Sequence, residues 1–372
     1  MKLAIMGFRG IPANYGGFET FAEELAPRLV RMGHDVTVYC RSNSVDPALD
    51  GAFYKGVRLK VLPTIGTKYL DTVAHTFISS LHGLGQGYDA VLMLNAANSP
   101  FAAVSRLGGA KVALNVDGIE RLRKKWGLAG RLYYRLGEYL ATVVPNAIVS
   151  DADVIRDYYL KNHGADSVMI PYGSDVERAE TTGALERAGV TPGEYILYVS
   201  RLEPENNAHI VIEAFKGVDT GKRLVVVGDA PYASAYKDRL RELAAGDARV
   251  VLAGAVYGLG YRELQSHAYC YVQATEVGGT HPALVEAMGF GNCVVVNGTP
   301  ENVEVVGDAG LVYGKNDVSE LMSILERVMH NPEIMLECKL AASARARERY
   351  SWERVAQDYE TLFRFLTEGR AG

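Results

Sequence analysis

The stretch Ala274-Thr275-Glu276-Val277-Gly278-Gly279-Thr280-His281-Pro282-Ala283-Leu284-Val285-Glu286-Ala287-Met288-Gly289 follows the apolar run 270–273, where a buried strand ends. Two glycines and a threonine make a loop, and Pro282 falls where a first helical turn begins, a position at which its missing N–H costs nothing. Amides of such a turn can hold a diphosphate, because the helix dipole favours negative charge there. Glu286, one turn further in, is placed to bind a ribose hydroxyl pair. The plain alternative is a capped helix with Glu286 on its wet face. Its neighbours in Ala-Leu-Val-Glu-Ala-Met are mostly apolar, which favours the functional reading.

Working outward, 270–273 is one of many short apolar runs. Residues 195–200, 224–228, 250–253 and 293–296 share its character, as do 3–7, 35–40, 90–95, 111–116 and 147–150 earlier in the chain. Helix-length segments separate several of them. Strands this apolar are buried on both faces, so the pattern predicts α/β architecture with two doubly wound parallel sheets. The join falls near Ile170-Pro171-Tyr172-Gly173-Ser174-Asp175, with a hinge expected at Gly173 and a cleft between the sheets. In such sheets ligands lie beyond the carboxyl ends of the strands, so the loops after each run are where function belongs.

A chain of 372 residues is too long for one compact core and agrees with two domains. The net charge of −5 divides at Gly173 into +4 before it and −9 from there onward. Mild overall acidity argues against a nucleic-acid binder but leaves room for a local basic surface. The four cysteines, Cys40, Cys270, Cys293 and Cys338, form no CxxC pair, so neither zinc nor a disulfide framework is suggested. No apolar run approaches the roughly 18 residues of a membrane span. The first residues read as a strand rather than a signal peptide, so a cytoplasmic protein is expected.

Two further segments stand out. Phe8-Arg9-Gly10-Ile11-Pro12-Ala13-Asn14-Tyr15-Gly16-Gly17-Phe18-Glu19 leads into a helical pattern through Met32. Gly16 and Gly17 would let backbone amides approach an anion, or would merely link strand to helix. Arg121, Arg123, Lys124, Lys125, Arg131 and Arg135 are interleaved with Trp126, Leu128, Leu132, Tyr133 and Tyr134, with no acid between the first and last basic residue. A solvated helix face is the ordinary meaning of such a run. Its bulky apolar content favours docking of Arg121, Arg123, Lys124, Lys125 and Trp126 to anionic lipid headgroups or a lipid-diphosphate acceptor. Asp151-Ala152-Asp153 spells a metal-binding DxD, but it opens a helical pattern and reads better as a cap.

Together with Val199-Ser200-Arg201-Leu202-Glu203-Pro204-Glu205, Ile170-Pro171-Tyr172-Gly173, Pro300-Glu301-Asn302-Val303-Glu304 and Tyr350-Ser351-Trp352-Glu353, the 274–289 stretch resembles the retaining GT-B glycosyltransferases of the large family 4. The resemblance covers nearly the whole chain. The opening glycine segment, with Pro-Glu-Asn-Asn and Val-Gly-Gly-Thr-His-Pro, is similar to bacterial rhamnosyltransferases that build capsule and cell-wall polysaccharides. It implies residues 1–172 plus 350–372 as an acceptor-binding domain and 173–349 as a nucleotide-sugar-binding domain, with the last helix crossing back onto the first.

The resemblance also implies roles. Arg201 neutralises the diphosphate, aided by Gly279, Thr280 and His281; Glu286 and Glu304 lie at the nucleotide; Asp117 falls near where family members often place a histidine that touches the donor sugar or acceptor, so it is the candidate to orient the acceptor hydroxyl, unless it simply forms an Asp-Gly turn. Two departures matter. The family's usual first glutamate is Gly278 here, leaving Glu276 as the nearest carboxylate, and its usual lysine is Asn206. No metal or other cofactor is expected. The partners implied are a nucleotide sugar, with L-rhamnose as the sugar, and a lipid-linked acceptor at the inner face of the cytoplasmic membrane. A sugar-nucleotide epimerase would use similar twin sheets without an acceptor, and a non-catalytic two-domain sugar-binding protein would share hinge and cleft.

Overall fold

The structure is a computed structural model that describes residues 1–13, 16–67, 70–124, 126–174, 177–230 and 233–369. The chain forms two compact units, Met1–Gly173 with Trp352–Gly372, and Ser174–Ser351.

The strands of the first unit are β1 (Lys2–Met6), β2 (Asp35–Arg41), β3 (Phe53–Tyr54), β4 (Val57–Leu62), β5 (Ala90–Leu94), β6 (Lys111–Asn115), β7 (Ala147–Ser150) and β8 (Val168–Met169). They form one sheet in the order β3-β4-β2-β1-β5-β6-β7-β8, parallel except for β3 against β4. Apolar clusters cover both faces, which is why β1, β5 and β6 read as unbroken apolar runs. The helix Gly17–Arg31 lies against one face. The last helix, Trp352–Glu368, completes that face: Phe21 meets Tyr172, Trp352 and Tyr359 with ring centroids 5.4 to 6.0 Å apart. Gly173 lies so close beneath the Trp352 indole that no side chain fits there.

The second unit's strands are β9 (Tyr195–Val199), β10 (Arg223–Val227), β11 (Val250–Gly254), β12 (Cys270–Gln273), β13 (Cys293–Asn297) and β14 (Leu311–Tyr313). Their order, β11-β10-β9-β12-β13-β14, is wholly parallel. Numbered within the unit this is 3-2-1-4-5-6, the doubly wound order with its reversal between β9 and β12. Connections leave those two strands in opposite directions, so their carboxyl ends border a crevice. In the first sheet the same reversal falls between β1 and β5. No helix of the described residues is long and apolar enough to cross a membrane.

Candidate functional site

At the carboxyl edge of the second sheet, four loops are knitted together by side-chain amides. The loop after β9 turns on the Arg201 carbonyl, which accepts from the Glu203 amide at 2.8 Å, from Asn206 Nδ2 at 2.6 Å and from Ser200 Oγ at 3.1 Å. Tyr198, buried in β9, donates its hydroxyl to the Asn206 carbonyl at 2.5 Å. Asn206 therefore shapes the loop that carries Arg201; its amide nitrogen is directed at backbone, so it does not take over the duty of a lysine.

The loop after β12 is fastened to this one. The Glu276 amide donates to the Glu205 carbonyl at 3.0 Å, and Asn207 Nδ2 donates to the Ala274 carbonyl at 3.0 Å. Asn297, at the end of β13, donates to the same carbonyl at 3.0 Å, while Asn302 spans the Thr275 and Asn297 carbonyls at 3.1 Å each. Asn316 is the hub. Its Oδ1 accepts from Asn207 and Asn297 at 2.8 Å each, its amide donates to Asn297 Oδ1 at 2.8 Å, and its Nδ2 donates to Glu276 Oε2 at 2.6 Å. Asn207 and Asn316 both sit at φ +60°, a conformation asparagine tolerates better than most residues. A buried network with these bonds made is rigid, and it fixes the Glu276 carboxylate beside the β9–β12 reversal.

The helix that follows is Pro282–Gly289, with Pro282 in its first turn and no side chain capping its start at His281. The His281 carbonyl accepts from the Leu284 and Val285 amides at 3.0 and 3.2 Å, and the dipole of this turn points its positive end at the loop. Gly278 and Thr280 are buried, and a Cβ at Gly278 would fall 2.5 Å from His281 Cε1. The imidazole thus fills the space that a side chain at position 278 would need. Glu286 is half-buried and accepts the Tyr261 hydroxyl, which in turn accepts from Gln265 Nε2 at 3.0 Å. Burial, then the adjacent Glu286 carboxylate, hold the Tyr261 hydroxyl far above its ordinary value, so it stays a proton donor to Glu286. Glu304 lies in the helix Pro300–Val306, capped by Thr299, and its carbonyl accepts from Arg345 at 2.8 Å.

In the first unit, the loop after β1 makes two tight approaches. Gly7, at φ +100°, passes the Leu94 carbonyl so closely that a Cβ would lie 2.5 Å from it, and Gly10, at φ +124°, presses on Cys40. The loop is tied to its helix by carboxylates reaching back: Glu19 accepts the Arg9 amide at 3.1 Å and Glu23 the Ala13 amide at 2.6 Å. Gly16 stands at the helix start in extended conformation and Gly17 begins the helix. Two of this loop's amides, those of Arg9 and Ala13, are thus satisfied internally.

Asp117 occupies a left-handed turn at φ +52°, its amide on Asn115 Oδ1 at 3.0 Å. The carboxyl of Asp151, a residue 1% exposed at the end of β7, lies beside it. Burial raises the Asp117 pKa, with Glu120 adding to the effect and Arg123 and the Asp151 contact opposing it. The Tyr172 hydroxyl beside them is likewise pushed up, by burial and by both carboxylates.

The basic segment has partners of its own. Arg123 is buried and bonds Glu120 at 2.6 Å, Trp126 donates to the same carboxylate at 3.2 Å, and Arg121 bridges Glu138 at 3.0 Å and the Tyr158 hydroxyl at 2.9 Å. Arg121, Arg123 and Trp126 thus bond carboxylates that flank the run. Lys124 is exposed, and Lys125 lies outside the described residues.

Two family models match the chain, one for a glycosyl transferase 4-like domain over residues 16–173 and one for glycosyl transferases group 1 over residues 193–331. The chain is a GT-B glycosyltransferase. Among solved structures this glycosyltransferase is similar to sucrose-phosphate synthase from Thermosynechococcus elongatus, with a TM-score of 0.83 at 16% identity over 99% of each chain. It is also similar to HepE from Anabaena, solved with UDP and glucose, with a TM-score of 0.77 at 18% identity over 97% of this chain and 99% of that one. A glycosyltransferase from Rickettsia africae gives 0.72 at 14% identity over 99% of both. A search of curated proteins by sequence finds no match. Asn207, Asn297, Asn316 and Tyr261 are candidate site residues that sequence reasoning missed, and Asp151 reads in the sequence only as a helix cap.

Proposed function

We propose that this glycosyltransferase moves a sugar from a nucleotide-diphosphate donor, with retention at the anomeric carbon, onto a lipid-linked or polysaccharide acceptor of the cell envelope at the inner face of the cytoplasmic membrane. The observation that carries the reading is that the Arg201 loop after β9 and the Glu276 loop after β12, which leads into the Pro282–Gly289 helix, are bonded to each other at the β9–β12 reversal. An Arg guanidinium and helix amides suit a leaving diphosphate, and Glu286 suits a ribose. That HepE was solved with UDP-glucose supports a nucleotide-sugar donor here.

In this mechanism Arg201, the Gly278–Gly279–Thr280 loop and His281 meet the charge that develops on the departing diphosphate. Glu276, held by Asn316, faces the positive charge of the sugar ring. Asp117 orients the acceptor hydroxyl. Each preorganised group of this kind is worth on the order of 100- to 1000-fold in rate. L-rhamnose is the donor sugar the sequence motifs favour. The test is a panel of nucleotide sugars with a lipid-diphosphate N-acetylglucosamine acceptor, read by mass spectrometry, with Arg201→Ala as control. Transfer of a deoxyhexose is expected. Transfer of a hexose alone would overturn the rhamnose assignment, and release of an altered free sugar nucleotide without transfer would overturn the whole reading.

A further inference from the structure

The helix Leu128–Val143 carries an outward stripe that the site does not use. Leu128, Leu132, Leu136, Tyr139 and Val143 recur at spacings of four, four, three and four, which sets them on one face, and each is 52–77% exposed. Monomeric proteins seldom leave five large apolar side chains in line facing water. The opposite face is firmly seated. A Cβ at Gly137 would fall 2.7 Å from the Ala96 carbonyl, Ser99 Oγ donates to the Gly137 carbonyl at 2.8 Å, and Tyr133 donates to the Ala97 carbonyl at 2.8 Å. The stripe is therefore part of the rigid scaffold. At its far end Arg106 donates to the Val144 carbonyl at 2.5 Å, bringing in Leu107, which is 85% exposed.

Charge selects the occupant. Arg131 and Arg135 are exposed, each one position before a stripe leucine, and Lys124 is exposed just ahead of the helix. The helix has one acid, Glu138, 3% exposed and bonded to Arg121 and Tyr158 on the inner side. The outward face is thus apolar and purely cationic. A second copy packed across a two-fold axis would set arginine against arginine, whereas an anionic bilayer supplies counter-charge to the arginines and hydrocarbon to the leucines.

We propose that the Leu128–Leu132–Leu136–Tyr139–Val143 face, flanked by Arg131 and Arg135, is the surface by which this enzyme lies on an anionic lipid bilayer. The same helix starts just after the loop that holds Asp117 at the carboxyl edge of the first sheet, so docking brings that edge to the lipid. This deepens the lipid-linked acceptor of the proposed function and rests on it for its purpose. Its test does not, because lipid binding is read without sugar transfer.

The experiment is co-sedimentation of the full chain with phosphatidylglycerol–phosphatidylcholine vesicles, with pure phosphatidylcholine vesicles as control. The wild type is expected to bind the anionic vesicles and to bind them less in high salt. Arg131→Glu/Arg135→Glu and Leu132→Ser/Leu136→Ser/Tyr139→Ser should each lower partitioning by about tenfold or more while melting like the wild type and binding nucleoside diphosphate as it does. Partitioning that is unchanged in both variants, or a wild type that ignores anionic vesicles and instead forms a dimer dissolved by the leucine variant, would overturn the assignment. If no nucleotide sugar is turned over while vesicle binding behaves as stated, the surface stands and the transfer reading falls.

Discussion

Asn316→Asp is the sharpest test of how the second unit builds its site. The substitution keeps Oδ1 for Asn207 and Asn297 and keeps a residue type that tolerates φ +60°. It replaces the Nδ2 donor, 2.6 Å from Glu276 Oε2, with a second oxygen. With charge centres about 4 Å apart, two carboxylates repel by about 4 kcal/mol at an effective dielectric of 20. That corresponds to a rise of up to about 3 units in the apparent pKa of the pair, which then titrates as a unit. If Glu276 acts ionised, the acid limb of the pH–rate profile for nucleoside diphosphate release moves upward by 1 to 3 units, and activity lost at neutral pH returns at high pH. Asn316→Ala fails differently. It leaves two buried amides each short of an acceptor, at about 1–3 kcal/mol apiece, so stability falls with activity and no pH restores it. A folded Asn316→Asp enzyme whose pH–rate profile overlays the wild type would refute the claim that Asn316 positions Glu276.

Three further outcomes follow from the geometry. Gly278→Ala places a Cβ 2.5 Å from the His281 ring and should displace it, weakening nucleoside diphosphate binding by about tenfold in calorimetry; undiminished affinity would show that the ring is not part of the anion site. His75 is fully buried, bonds the Cys40 carbonyl at 3.0 Å, and is pushed down to about 4 by burial and the Arg41 guanidinium. Its folded form stays neutral while the unfolded chain takes a proton below about 6.5, so stability is full above that value and declines by up to roughly 3 kcal/mol as pH falls toward 4. Urea midpoints should show this slope, and His75→Gln should flatten it; identical slopes would count against it. Asp117 shifts the other way: its contribution is present below the ordinary carboxylate range and is lost as pH rises through its elevated value. Asp117→Asn should therefore gain in melting temperature over the wild type as pH increases while losing turnover, and a variant that melts lower at every pH would contradict the raised value.

The sheets were readable because most of their strands are buried on both sides and so appear as apolar words. β4 was not, since Arg58 and Lys60 alternate with its buried residues, and β3, β8 and β14 are two or three residues long. In the site, Gly278, Pro282 and Glu286 were legible because strand, loop and helix there are consecutive. The asparagine network was not, because its members come from residues 206 to 316 and bond mainly backbone carbonyls, which have no sequence signature. The pairing within the basic run was hidden for a related reason. Glu120 and Glu138, which neutralise Arg123 and Arg121, lie just outside its two ends.

The return of Trp352–Glu368 to the first unit has a consequence for synthesis. Phe21, Tyr172 and Gly173 cannot finish packing until Trp352, Tyr359 and Phe363 have left the ribosome, roughly 190 residues after Gly173. At about 5–20 residues per second the nascent first unit waits roughly 10–40 s with an open aromatic face, whereas the second unit is contiguous and can close as it emerges. A chaperone encountering this chain during translation would find its client surface at the beginning of the polypeptide, and a stop codon near position 351 would leave that surface permanently uncovered.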